Sequence, residues 1–369
     1  VDLAVLGEGD ISGVEVFRAY EEGTDLSDVK GIAYKADGEV VRTPKRPVIA
    51  DIDSIPTPNY ELFDLDVYLE KSRWMVPAPE SCPVPFDEIV SMPVNTARGC
   101  PFSCTFCFHA FQHLKYRHRD PACVADEIEL WRDKYGANFI TFWDELAFYQ
   151  AQATERFADL MLERNLGMTF YGSCRSELFK EDTAYIAKKL KDAGCKGLGF
   201  SLESGNEEIL LAMNKHNHVS DFVRQCNILH DVGIEVYTSI VIGYPQETRE
   251  TIKETFQVLA DSNVYPSVGY LQPMPGTPMY DLAVEAGKIR EEEEYLFMMG
   301  DRQDLRVNLS ETLSEEEMEA AVLEELVWLN GELHTELPED GLIKTRAYRV
   351  SKEETFLESF GVAAKVRAG

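Results

Sequence analysis

Ile89-Val-Ser-Met-Pro-Val-Asn-Thr-Ala-Arg98-Gly-Cys100-Pro-Phe-Ser-Cys104-Thr-Phe-Cys107-Phe-His109 is the stretch around which the rest of the chain is organised. Its first half, over 89–96, is an apolar run short enough for a buried strand. Its second half sets three cysteines at C-x-x-x-C-x-x-C spacing directly behind that strand. Downstream, short apolar runs alternate with longer amphipathic ones. The pattern predicts strands over 89–96, 138–143, 168–174, 197–203, 234–242 and 266–272. It predicts helices over 121–135, 151–165, 182–193, 206–232 (with a break) and 247–262. Strands joined by helical crossovers pair in parallel. The fold class is therefore α/β, a sheet curved into a partial (β/α)6 barrel; a closed barrel has eight units, so six leave an open side. Active sites on such sheets gather at the C-terminal strand ends.

Outward from this core, Val1 to Leu6 reads as a buried strand turning at Gly7 and Gly9 into a helix, with Val14, Phe17, Ala19 and Tyr20 on one side. A strand opening at the first residue suggests the C-terminal part of a longer protein. Gly31-Ile-Ala-Tyr and Glu39-Val-Val read as a hairpin across Asp37-Gly38. Pro44 to Pro93 is proline-rich and reads as a wrapping linker. Beyond about residue 280 the chain is charged and mostly helical, with a helix start at Ser314 before Glu315, Glu316 and Glu317. The expected division is 1–88, the end of a truncated upstream domain plus hairpin and linker; 89–280, the barrel core; and 281–369, a helical C-terminal tail.

The formal net charge of −29 repels phosphate backbones and argues against a nucleic-acid partner. No apolar run approaches the roughly 18 residues of a membrane span, and no basic-then-apolar leader is visible, so a cytoplasmic protein is expected. Of the eight cysteines, Cys82, Cys123, Cys174, Cys195 and Cys226 are scattered singly. A tight triplet in a chain this long suits a metal better than a disulfide framework.

Thiolates are soft ligands that select iron–sulfur clusters or zinc. Structural zinc wants four ligands, and only His109 or His113 stands near enough in sequence to complete the set. A [4Fe–4S] cube on Cys100, Cys104 and Cys107 leaves one iron open to chelate an amino and a carboxylate group.

With this spacing behind the first strand of a βα series, the chain resembles the radical S-adenosylmethionine superfamily over about 89–280. The resemblance implies a [4Fe–4S] cluster on Cys100, Cys104 and Cys107, and reductive cleavage of S-adenosylmethionine to a 5′-deoxyadenosyl radical. It implies that Phe106 lies near the adenine. In Trp143-Asp144-Glu145, Asp144 and Glu145 would receive the amino group, and Arg175 would meet the methionine carboxylate. Gly199-Phe-Ser201-Leu-Glu203-Ser-Gly205 resembles the ribose-binding element, with Glu203 as hydroxyl acceptor. Ile240-Val-Ile242-Gly243-Tyr-Pro-Gln-Glu247 resembles the adenine-contacting element. Met274-Pro-Gly-Thr-Pro-Met279 resembles the turn after the sixth strand. The blander alternatives are that Arg175 pairs with an acid and that Glu203 caps the next helix.

The opening VDLAVLGEGD, the hairpin and the Ile49-Ala-Asp-Ile-Asp-Ser-Ile-Pro segment resemble the subgroup with an N-terminal cobalamin-binding domain, which includes many methyltransferases and the anaerobic magnesium-protoporphyrin cyclase. Cobalamin is thus implied by analogy, although the aspartate-x-histidine-x-x-glycine motif common in such domains is absent here. The resemblance favours methyl transfer to an unactivated carbon of a small molecule. Radical cyclisation without methyl transfer is the alternative, and a non-enzymatic iron–sulfur or zinc scaffold a remote one. An external one-electron reductant such as flavodoxin or ferredoxin is the implied partner. No cysteine follows Cys226, so a single cluster is expected. The basic aromatic run His109, Phe111, His113, Lys115, Tyr116, Arg117, His118, Arg119 is a candidate anion-binding surface. Tyr149, Tyr171, Tyr237 and Cys174 are placed near strand ends as candidate hydrogen donors. Lys215 and His216 receive no role.

Overall fold

The computed structural model describes residues 2–76, 82–108, 115–299, 307–338 and 341–343. The N-terminal part holds β1 (Leu3–Val5), α1 (Gly9–Glu22), β2 (Ile32–Ala36), β3 (Glu39–Arg42) and α2 (Leu65–Ser72). The core begins with β4 (Ser91–Val94) and a short ladder, β5 (Ala97–Arg98) and β6 (Arg117–His118). There follow α3 (Pro121–Tyr135), β7 (Phe139–Phe142), α4 (Ala151–Glu163), β8 (Thr169–Ser173), α5 (Tyr185–Asp192), β9 (Cys195–Gly199), α6 (Glu207–Ala212) and α7 (Val219–Asp231). It closes with β10 (Glu235–Tyr237), β11 (Ser239–Ile242), α8 (Arg249–Asp261) and β12 (Ser267–Tyr270); the tail holds α9 (Pro278–Glu285), α10 (Glu292–Met298) and α11 (Glu315–Glu332).

The sheet is parallel throughout, in the order β10-β9-β8-β7-β4, with β11 pairing β12 in parallel. A parallel bridge, Glu203 to Ile240, joins the two parts. The predicted strand over 234–242 is split at Thr238 because that side chain intervenes: its Oγ1 accepts from the Leu202 amide at 3.0 Å. The architecture is the expected six-stranded partial barrel. Helix starts follow local chemistry. Asp120 caps α3 with Pro121 at its first position, Asn206 caps α6, Thr248 and Ser314 form capping boxes, and Thr277 caps α9 before Pro278.

Alternation along the strands separates two environments. One set of side chains (Met92, Val94, Ile140, Phe170, Leu198, Phe200) is buried with the helix faces Ile128, Trp131, Phe157, Leu190, Phe222 and Phe256. At the N-terminal ends, Ile89, Phe139 and Tyr171 pack with Val76, Cys82, Val84, Phe86 and Tyr237, so part of the proline-rich linker plugs the barrel floor. This corrects two placements: Tyr171 and Tyr237 belong to that plug, and Tyr237 donates to Glu235 at the start of its own strand. Toward the C-terminal ends, Ser173, Gly199, Ser201 and Ser239 are only half-buried. These small residues leave the upper lumen roomy.

The N-terminal part departs from the sequence reading. β1 is largely exposed and pairs antiparallel with β2, and β2 pairs antiparallel with β3 as the predicted hairpin, Ala36 facing Glu39. Helix α1 buries Ser12, Val16 and Ala19 and leaves Val14, Phe17 and Tyr20 exposed. Of the predicted stripe only Ala19 is buried, and it packs with Val16, Val29 and Ile32. No helix among the described residues is long and apolar enough to cross a membrane.

Gly197 marks the tightest point of the floor. A Cβ there would stand 2.5 Å from the Tyr237 ring and 2.7 Å from the Tyr171 ring. Gly197→Ala is expected to destabilise the fold by ~1–3 kcal/mol through overpacking, measured by urea denaturation. An unchanged midpoint would mean that the floor is loosely packed.

Candidate active site at the C-terminal mouth of the barrel

The cysteine loop leaves β4, is pinched at its neck by β5 and β6, and is fastened by the residues between its cysteines. The Thr105 amide donates to Met213 O at 2.9 Å. Its hydroxyl donates to Ala212 O at 3.0 Å and lies 2.9 Å from the Tyr244 hydroxyl. Asn214 Nδ2 donates to Ser103 O at 2.9 Å, and the Met279 amide donates to Thr105 O at 3.2 Å. Phe102 lies beneath the Arg175 guanidinium, 3.6 Å from the ring centroid, and edge-on to Tyr149. Phe106 meets Tyr244 edge-on. The loop is thereby tied to the ends of β8 and β11, to the turn after α6 and to α9.

Cys100, Cys104 and Cys107 are all free thiols and half-buried. Burial pushes the Cys104 thiol up and the Cys107 thiol to about 11, and each also feels the charge of its sister cysteines. Three reduced, mutually close thiols on one anchored loop suit a soft metal centre, whose positive charge would deprotonate them. Among the described residues no three histidine, cysteine or acidic side chains converge as around one ion; an iron–sulfur cube holds its thiolates at separate corners.

Both Cys104 and Cys107 also sense Glu203 and Lys215. Lys215 Nζ pairs with Glu203 Oε1 at 2.6 Å, the two side chains being 12% and 6% exposed. Glu203 Oε2 is buried with no hydrogen-bond partner, and Glu203 adopts φ +64°. An unused buried carboxylate oxygen carries a desolvation cost that a ligand hydroxyl would relieve. Glu203 does not cap α6, since Asn206 does. Lys215 was missed from sequence. The available signal was the helix break itself, where Asn214 and His216 both take positive φ and turn Lys215 back toward the strand ends.

The other predicted residues divide. Asp144 spends its carboxylate on the Thr96 and Ala97 amides, the Thr96 hydroxyl and Asn95 Nδ2; burial raises its pKa against those bonds. It thus fixes the start of the cysteine loop, while Glu145 beside it is exposed. Arg175 is engaged by Glu177 Oε1 at 2.6 Å and by Lys215 O at 2.5 Å, which realises the structural alternative. Ser201 Oγ lies 2.7 Å from Ser239 Oγ at the lumen wall. Cys174 is buried, with its sulfur 3.5 Å from Gln225 Nε2. In the basic run, His109, Phe111 and His113 lie outside the described residues. Arg117 is taken by Glu8 and Arg119 by Asp53 and Glu127, so these two guanidiniums serve internal ion pairs and not an anion site.

Ile242 is buried and ends β11, and Gly243 follows at φ +111°. The Gly243 carbonyl accepts from Leu309 and the Pro245 carbonyl from Glu311, while the Leu271 carbonyl accepts from Val307. The tail thus straps the segment that follows β11 and the end of β12. Glu247 is buried beneath the strap, accepting from Thr251 Oγ1 at 2.7 Å and the Gly243 amide at 3.3 Å. Burial lifts its pKa from 4.5 to about 7 despite these bonds.

A parallel six-stranded partial barrel carrying a three-thiol loop behind its first strand defines the class of protein. Residues 94–259 match the Radical SAM superfamily, and the chain carries a domain of that superfamily. It is 28% identical over 286 residues to an uncharacterized methyltransferase of Pyrococcus horikoshii, covering 77% of this chain and 58% of that protein. It is 29% identical over 306 residues to the anaerobic magnesium-protoporphyrin IX monomethyl ester cyclase of Rubrivivax gelatinosus, covering 81% and 52%. The chain spans about half the length of these relatives. Among solved structures it is similar in fold to the radical S-adenosylmethionine methyltransferase TsrM of Kitasatospora setae, with TM-score 0.58, 19% identity, and 78% of this chain on 56% of that one. It is likewise similar to the cobalamin-dependent radical enzyme OxsB, with TM-score 0.58, 17% identity, and 80% on 40%.

The raised Glu247 pKa has a signed consequence. Its contribution to stability is fully present below about pH 4.5 and is lost as pH rises toward about 7, because the native state holds the proton more tightly. Glu247→Gln removes this dependence. The stability difference between wild type and E247Q should therefore change by on the order of 3 kcal/mol across that window, read from denaturant midpoints at several pH values. Parallel curves would refute it.

Proposed function

We propose that this chain is the catalytic barrel of a radical S-adenosylmethionine enzyme, with Cys100, Cys104 and Cys107 holding a [4Fe–4S] cluster. The observation that carries the reading is the anchored three-thiol loop facing the Glu203–Lys215 pair at the barrel mouth. When bound, the cluster supplies the electron that breaks a carbon–sulfur bond of S-adenosylmethionine. The chain's own residues bind and orient. Glu203 Oε2 accepts a ribose hydroxyl, Lys215 faces the methionine carboxylate, and exposed Glu145 receives the amino group. Phe106 and the backbone at Ile242 and Gly243 flank the adenine. Ser173, Gly199, Ser201 and Ser239 leave space in the lumen for the substrate carbon, above the aromatic floor that keeps water out from below.

The reaction we favour is cobalamin-dependent methyl transfer to an unactivated carbon of a small molecule, supported by similarity to methyltransferases in sequence and to TsrM and OxsB in fold. Cobalamin would be held outside the barrel described here, and none of these side chains is assigned to it. Radical cyclisation is a second reading, favoured by the similarity to the magnesium-protoporphyrin cyclase. A cytoplasmic flavodoxin or ferredoxin would supply the electron.

The test is anaerobic reconstitution and reduction, followed by measurement of 5′-deoxyadenosine and of labelled methyl in the product. Cys100→Ala, Cys104→Ala and Cys107→Ala should each abolish cleavage. Labelled product supports methyl transfer; 5′-deoxyadenosine without it turns the reading toward cyclisation. A wild-type protein that binds zinc and leaves S-adenosylmethionine intact would end both. Lys215→Gln should weaken S-adenosylmethionine binding about tenfold, the size of one lost charge-assisted contact, measured by calorimetry on the reconstituted protein. Unchanged affinity would remove Lys215 from the site.

A further inference from the structure

We infer that Glu8 is a positioning residue for the metal centre, clasping the two arginines that close the neck of the cysteine loop. The inference rests on reading Cys100, Cys104 and Cys107 as cluster ligands. β5 and β6 bracket the loop, and their register sets Arg98 directly opposite Arg117. Like charges facing each other across a ladder push the strands apart, and this ladder has only two residue pairs to resist.

Glu8 removes the conflict. Its Oε1 accepts from Arg98 Nη1 at 2.9 Å and from Arg117 Nη1 at 2.6 Å, and its Oε2 accepts from the Ile49 amide at 2.7 Å. The Glu8 and Arg117 side chains are 4% and 6% exposed. Burial by itself raises the Glu8 pKa, but the bonds from Ile49, Arg98 and Arg117 outweigh it and hold the carboxyl below its ordinary value. Asp10 adds a forked pair to the outer side of Arg98, at 2.7 and 3.0 Å. Arg117 also donates to Ile49 O at 2.7 Å, the residue whose amide holds the other oxygen of Glu8. The loop that carries the thiols is thus closed by a residue about ninety positions upstream in the chain, at the N-cap of α1. Such outer-shell charges tune both the hold on a metal centre and its potential.

The test compares Glu8→Gln, Glu8→Asp and the double variant E8Q/R117M with wild type, in the full chain. In reconstituted protein, E8Q should release iron to a ferrous chelator at least tenfold faster. Its midpoint potential, read by redox-poised EPR, should move upward, because a negative charge is lost at the neck of the loop. In metal-free protein, Lys-C cleavage after the exposed Lys115 should quicken by a similar factor. E8Q/R117M should return all three toward wild type, since it removes one of the two facing cations along with the anion. If E8Q does not fold, E8D and the double variant carry the comparison: E8D should keep the potential while cleavage quickens. Wild-type behaviour of E8Q or E8D in cleavage and iron release, or a double variant worse than E8Q, would overturn the inference. A wild-type chain that takes up no iron would instead fail the cluster reading, and the Lys115 cleavage rates would still decide the role of Glu8.

Discussion

A loop that must present three thiols at fixed separations cannot hold that shape with its own backbone, and most of the site follows from this constraint. The eight residues from Cys100 to Cys107 contain no repeating hydrogen bonds, so the anchoring comes from elsewhere. Thr105 is tied to the end of α6, Ser103 to Asn214, Phe102 to Arg175 and Phe106 to Tyr244. The residues between the cysteines, which look like spacers in the sequence, are the means by which four separate elements fix the loop. Preorganisation of this kind moves the entropic cost of ordering the ligands into the folding of the protein.

The barrel divides its work along its axis. Aromatic rings and the returning linker close the floor, while serines and glycines line the top. Gly197 and Gly199 belong to the same strand two residues apart, yet a Cβ at the first would collide with Tyr171 and Tyr237, while one at the second would meet only ordinary contacts. Strand alternation makes this possible, because one face of the sheet packs the helices while the other grades from full to empty.

The architecture was legible in the sequence because short apolar runs, caps and turns agreed with one another. Helix α3 begins at the predicted Pro121, and α11 is capped at the predicted Ser314. The cysteine triplet stood out by its spacing together with its place behind the strand that opens the βα series. What escaped was whatever depends on partners distant in sequence. The exposed face of α1 could not be told from its buried one, because both carry apolar residues and only the neighbours decide. Arg117 and Arg119 looked like an anion site because the acids that neutralise them, Glu8 and Asp53, lie 109 and 66 positions away in the chain. Asp144 looked like a ligand group because nothing in its own segment revealed that the Thr96 and Ala97 amides would claim it.

The strap formed by residues 307–311 has a consequence for where this protein begins and ends as a physical object. The match to the superfamily model stops at residue 259, but the carbonyls of Gly243 and Pro245 are satisfied from beyond it. Arg98 and Arg117 are likewise neutralised from ahead of it. A fragment cut to the recognisable borders would expose both seams at once. A family model marks the part that its members share; autonomy of folding belongs to a longer stretch of chain.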